Sequence, residues 1–197
     1  MRVKFIVLVV TLVISGLSFA SGLSFASGLG FAQIDQQKTP EQQIEESLSA
    51  LPESLRDDVR VEGFDESGNP VTLREGTSHI VCHADDPNVR SWTVTCFPES
   101  LEAFVTRSEA LRKAGEDTPA RIKTLRAEIE SGAIVMPTVG ALYIRSGNSV
   151  AIASAVMIVH VPNATPQTTG LPTLPTRGSP WLAEAGTPMA NIRISRP

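Results

Sequence analysis

Cys82 and Cys96 are the only cysteines in the chain, and each sits inside a strand-like segment. His79-Ile80-Val81-Cys82-His83 reads as one strand. Trp92-Thr93-Val94-Thr95-Cys96-Phe97 reads as a second, alternating Trp, Val and Cys against Thr, Thr and Phe. The eight residues between them, Ala84-Asp85-Asp86-Pro87-Asn88-Val89-Arg90-Ser91, are rich in turn formers. Folding the two segments back about Val89 sets Cys82 directly opposite Cys96, at a separation that a disulfide spans. A closed loop of about 15 residues is worth ~3 kcal/mol in the chain-entropy picture. Two other readings stay open, free or inter-chain thiols and a metal site. His79, Cys82, His83 and Cys96 carry suitable ligand atoms for zinc or copper. On a strand, however, His79 and His83 point to one face and Cys82 to the other.

The oxidising compartment that such a bridge needs is announced by the amino terminus. Arg2 and Lys4 precede an apolar run over 5–14, and three hexamers follow, SGLSFA, SGLSFA and SGLGFA, filling 15–32. Basic, then apolar, then small is the order of a secretory signal peptide. Cleavage after Ala20, Ala26 or Ala32 fits, and Ala32 is favoured because the polar Gln33-Ile34-Asp35-Gln36-Gln37 follows. The rival is an uncleaved anchor, which the Ser and Gly of the hexamers dilute. No cysteine near the junction offers an acceptor for lipid. Removing Arg2 and Lys4 from the 17 basic residues leaves 15 against 21 acidic ones, a modestly acidic mature chain. The sequence pI near 5.4 argues against a protein that holds nucleic acid by charge. Aromatic residues at 5% leave few candidates for a base- or sugar-stacking platform. The expected organisation is a signal peptide over 1–32 and one domain over 33–197, with no membrane association after cleavage.

Local signals place the elements. Thr39-Pro40-Glu41-Gln42 reads as a capped helix start, with Ile44, Leu48, Leu51 and Leu55 at helical spacing. Segments 59–64 and 71–74 read as a hairpin around 65–69. A helix is predicted over 99–114, with Leu101, Phe104, Val105, Ser108 and Leu111 on one face and Gly115 ending it. Thr118-Pro119 starts another, which buries Ile122, Leu125 and Ile129 and stops at Gly132. Arg107, Arg112, Lys113, Arg121, Lys123 and Arg126 on these helices are matched by as many acids, which reads as a solvated, salt-bridged face. Segments 142–145 and 149–161 read as a hairpin turning at Ser146-Gly147-Asn148. Its second arm is expected to be a central buried strand, with Ala151, Ala153, Ala155 and Met157 on a face that another layer approaches closely. From 165 to 188, five prolines and three glycines predict a long irregular arm that wraps the body and plugs it with Trp181. Ile192 and Ile194 predict a closing strand. The fold class that follows is α+β: a mainly antiparallel sheet with two or three helices packed on one face, and the Pro/Gly-rich arm at the C-terminal side.

The reactive motifs of common enzyme classes are not in the sequence: G-x-S-x-G, H-E-x-x-H and a phosphate-cradling glycine loop are all missing. His160 ends an apolar strand and reads as a hydrogen-bonded structural histidine. The densest polar cluster is His83, Asp85, Asp86 and Arg90 at the tip of the stapled hairpin, and these are the candidate binding residues. The same carboxylates serve a turn, since Asx side chains bond the local backbone. They are too few for calcium, which takes about 6–8 oxygens.

Val71-Thr72-Leu73-Arg74-Glu75-Gly76-Thr77, followed by Cys82-His83-Ala84-Asp85-Asp86-Pro87 and then Cys96, resembles a group of exported bacterial proteins of unknown function. The similarity runs on through Met136-Pro137, Ala164-Thr165-Pro166, Thr169-Gly170-Leu171-Pro172, Pro180-Trp181 and Gly186-Thr187, over most of the mature chain. The resemblance implies export and a shared fold, and carries no reaction, catalytic residue or cofactor. The expected function is a non-catalytic binding or structural protein of the bacterial periplasm or exterior, with a protein or a small molecule as ligand. The alternative is an exported metal-dependent or hydrolytic enzyme built on His79, His83 and the Asp pair.

Overall fold

Thr39 caps the first helix, α1 (Pro40–Leu48), by the predicted reciprocal pair. Its hydroxyl accepts from Gln42 N at 3.3 Å, while Gln42 Oε1 accepts from Thr39 N at 2.9 Å. The structure, a computed structural model, describes residues 38–175 and 178–196. The signal-peptide prediction over 1–32 lies outside the described residues. The described chain belongs to one unit, Gln36–Pro197.

Eight strands form one mixed sheet: β1 (Arg60–Phe64), β2 (Pro70–Arg74), β3 (Ile80–His83), β4 (Trp92–Pro98), β5 (Gly140–Gly147), β6 (Ser154–His160), β7 (Trp181–Ala183) and β8 (Asn191–Arg196). The spatial order is β2-β1-β3-β4-β5-β6-β8-β7. Only β1 and β3 run parallel; every other neighbouring pair is antiparallel. The parallel pair requires the chain to cross the start of β1 between β2 and β3. There Ser78 N donates to Asp58 O at 2.9 Å. A Cβ on Gly76 would fall on the backbone of Asp58, Val59 and Arg60, so the crossing admits no side chain at that position.

The stapled hairpin has the predicted register. Ile80 faces Pro98, Val81 faces Phe97, Cys82 faces Cys96 and His83 faces Thr95. Glu99 N donates to His79 O at 2.9 Å, which makes the 79/99 pair hydrogen-bonded. Alternation then leaves 80/98 and 82/96 non-hydrogen-bonded, the setting that suits Pro98, which has no N–H, and brings the cysteines closest. Cys82 and Cys96 are disulfide-bonded with their α-carbons 4.0 Å apart.

Neighbouring residues on these strands belong to different cores. Cys82, Val94, Cys96 and Trp92 pack with Val59, Val61, Ala50 and Leu51 beneath α1. Val81 and Phe97 pack instead with Leu101, Phe104, Val105, Leu111 and Leu125, from α2 (Glu102–Lys113), the 3-10 turn Glu99–Leu101 before it, and α3 (Thr118–Glu130). Since adjacent strand residues point to opposite faces, helices cover both faces of the sheet. This corrects the expectation of helices on one face only. The α+β class stands.

Gln43 ties α1 to the sheet. Its amide donates to Phe64 O at 2.9 Å and accepts from Phe64 N at 3.0 Å, so a side chain stands where a strand partner would. It is buried, and stranding either group would cost about 1–3 kcal/mol.

Two further corrections concern the C-terminal half. The predicted long strand over 149–161 is shorter, because Val150–Ile152 forms a 3-10 turn that reverses the chain. Gly147 permits this reversal by lying against Ala153, whose α-carbon would sit 3.0 Å from a Cβ at 147. Ala151 and Ile152 are exposed there. β6 is central in the sheet, yet Ala155–Val159 are only half-buried. The arm is not wholly irregular: Thr165 caps a short helix, α4 (Pro166–Thr169), ended by left-handed Gly170, and β7 joins the sheet beside β8. Leu182 and Ala183, not Trp181, are its buried residues. Trp181 stays half-exposed with the Arg193 guanidinium 5.3 Å from its ring centre.

Candidate functional site

The tip of the stapled hairpin is a hydrogen-bonded turn that also grips α2. Asp86 accepts from Asn88 N at 2.8 Å and closes the turn through Val89 N, 3.0 Å from Asp86 O. Asp85 accepts from Thr93 N at 2.8 Å at the base of the loop. Burial pushes the Asp85 carboxyl above the usual carboxylate range, while that hydrogen bond, Lys38 and Arg112 favour its charged form. Glu109 and Lys113 lie one helical turn apart on α2, so they reach the hairpin together. His83 Nδ1 lies 2.8 Å from Glu109 Oε2, and Lys113 Nζ lies 3.4 Å from Asp86 Oδ2. The His83 ring also stands edge-on to Phe97, with centroids 4.8 Å apart. Arg90 is exposed. His79 is exposed where β3 begins. Among the described residues no group of three or more His, Cys, Asp or Glu side chains is placed to hold a metal ion.

Beside this grip the sheet and the α2–α3 hairpin part to leave a cleft of about 670 Å³. Leu142 and Ile144 on β5 and Phe104 and Val105 on α2 give it apolar walls. Thr93 and Thr95 on β4, Ser108 on α2 and Ser146 on β5 add hydroxyls. Strand pairing explains the clustering: Thr93 faces Ser146 and Thr95 faces Ile144, so all four share the α2 side of the sheet. Phe104, Val105, Ser108 and Arg112 form one stripe of α2 at helical spacing. Arg112 and, from the first turns of α3, Arg121 join the lining.

The charges lining this cleft are unequally satisfied. Glu109 holds His83, Asp117 caps α3 by accepting from Ala120 N at 2.9 Å, and Glu116 accepts from the Thr124 hydroxyl at 3.4 Å. Arg121 donates to the Thr118 hydroxyl at 3.2 Å. Neither Arg112 nor Arg121 has a carboxylate within 4 Å among the described residues. Burial, and then the neighbouring charge of Arg112, hold Arg121 below the usual guanidinium range, against the pull of Asp117 and Glu116. The expectation of a salt-bridged helix face holds elsewhere on these helices. Arg107 makes a two-toothed contact with Glu128 at 2.7–3.0 Å, and Arg126 pairs with Glu184.

His83, Asp85, Asp86 and Arg90 therefore do not line the cleft; His83 and Asp86 brace the wall beside it, and Ser91 and Thr93 continue from the tip into it. Sequence reasoning missed Arg112, Arg121, Thr93 and Thr95. The available signal was that polar Ser108 and Arg112 extend the apolar stripe of Phe104 and Val105, opposite a strand whose matching face is threonine. Comparison with family models, curated proteins and solved structures returned no match. No helix among the described residues is long and apolar enough to cross a membrane.

Proposed function

We propose that this chain is an exported, non-catalytic binding protein whose cleft between the sheet and the α2–α3 hairpin takes a small ligand. One observation carries the reading: a concave site of about 670 Å³ combines apolar walls with hydroxyls that face inward. That is the usual composition of a small-molecule pocket, in which apolar area supplies affinity and a few polar groups fix orientation. The disulfide and the predicted leader support export. The tip residues then act as a brace that holds α2 over the sheet, through His83–Glu109 and Asp86–Lys113.

Titration of labelled protein with octanol, the neutral apolar probe, tests the cleft. The expected NMR shifts centre on residues 93, 95, 105, 108, 142 and 144, and a Ser108→Trp variant that fills the cleft removes them. Shifts scattered over the surface, or none, would count against the reading. Export has its own measurement. The intact mass of protein recovered outside the bacterial cytoplasm is expected to begin at Gln33 and to lack two hydrogens. A chain retaining residues 1–32, with two free thiols, would overturn it.

A further inference from the structure

We infer that the ligand of this cleft is an amphipathic organic anion, its carboxylate or phosphate held between Arg112 and Arg121 and its apolar part laid against Phe104, Val105, Leu142 and Ile144. This rests on the binding reading above and adds the chemical class of the ligand.

The argument starts from the committed carboxylates. Three acids line the cleft, and each already accepts from a partner of its own: Glu109 from His83, Asp117 from the α3 backbone, and Glu116 from Thr124. Neither guanidinium contacts a carboxylate among the described residues, and Arg121 donates only to the neutral Thr118 hydroxyl. Arg107 and Arg126, on the same two helices, do pair with carboxylates, from α3 and from Glu184 respectively. Two cations with no contacting anion, converging on one concavity, repel each other, and a bound anion removes that repulsion. Each guanidinium presents a planar fork that matches a carboxylate or phosphate. Thr93, Thr95 and Ser108 supply further donors along the walls. Phe104, Val105, Leu142 and Ile144 add apolar wall that a bare inorganic anion would leave uncovered. A molecule with one charged end and an apolar body uses both halves.

Octanoate and octyl phosphate, compared with octanol, test the inference by calorimetry and by the same NMR mapping on the full mature chain. At least one of the two anions is expected to bind about tenfold or more tighter than octanol, the scale of a charge-assisted hydrogen bond. That advantage should shrink as ionic strength rises. The Arg112→Gln and Arg121→Gln variants should lose it while binding octanol as the parent does, which also shows that the cleft is still formed. Preference for octanoate would assign a carboxylate, and preference for octyl phosphate a phosphate. Equal binding of octanol and both anions would overturn the anion inference and leave the binding reading standing. No binding of any of the three at the cleft would overturn both.

Discussion

A Cys82→Ala, Cys96→Ala double variant is expected to unfold about 6–12 °C below the parent chain. The bridge closes a loop with a sequence separation of 14 residues. Cross-linking a loop of that size contributes ~3 kcal/mol by restricting the unfolded chain. In domains of about 150–250 residues each kcal/mol shifts the midpoint by ~2–4 °C. The folded side adds to this, because both cysteines are fully buried among Val59, Val61, Val94 and Leu51 under α1. Removing two sulfur atoms there leaves a void that packed neighbours fill only in part. Calorimetry of the variant against the parent, with parent refolded under reductant as a second comparison, measures the effect. The reduced parent keeps its sulfur atoms, so the difference between the two comparisons separates loop closure from lost packing. A variant that melts within about 2 °C of the parent would show that the bridge does not hold this fold together.

The register of that bridge was legible because folding the two strands back about Val89 sets Cys82 opposite Cys96, and local chemistry placed α1, the β1–β2 hairpin and α3 equally well. The two-sided covering of the sheet was harder to read. Thr93 and Thr95 made one face of β4 look polar, as an outer face would be. In the fold that face is turned toward α2, and its threonines are polar because they line a cleft rather than solvent. Phe97, on the same face but beyond the cleft, is fully buried. A mixed face of this kind borders a cleft, and single-strand alternation reads it as exterior. The length of β6 was misjudged for a different reason. Val150, Ala151 and Ile152 have strand-like composition, but the hairpin needs residues to turn on, and these supply the 3-10 turn. Arg112 and Arg121 stayed hidden because charge counting along a helix does not show which acids are already engaged elsewhere.

Acid is expected to weaken the fold through His160, with the loss developing between pH about 6.5 and about 4. His160 is buried at the end of β6, between Gly140 on β5 and Asn191 on β8. Its ring stands edge-on to Phe104 of α2, with centroids 5.0 Å apart, and its Nδ1 has no hydrogen-bond partner. At Nδ1 the expected hydrogen bond is therefore not made. Burial, with the charge of Arg193 behind it, pushes the imidazole from its ordinary 6.5 down to about 4. The sign follows from proton uptake. Between those two values the unfolded chain binds a proton that the folded chain refuses, so stability falls as pH falls. Above pH 6.5 both states are neutral and the histidine costs nothing; below about 4 the cost levels off at ~3 kcal/mol. Asp85 works in the opposite direction, since a raised carboxyl takes up its proton more readily when folded and partly offsets the loss. Denaturant midpoints of the parent and His160→Gln proteins, measured from pH 7 to pH 4, isolate the effect: the parent declines more steeply, and glutamine, which never charges, removes that extra slope. If the glutamine protein does not fold, the histidine ring proton signals of the parent give the answer directly. A His160 resonance titrating near 6.5 in the folded protein would overturn the assignment, whereas one still neutral at pH 5 would confirm that the sheet and α2 keep the ring free of charge.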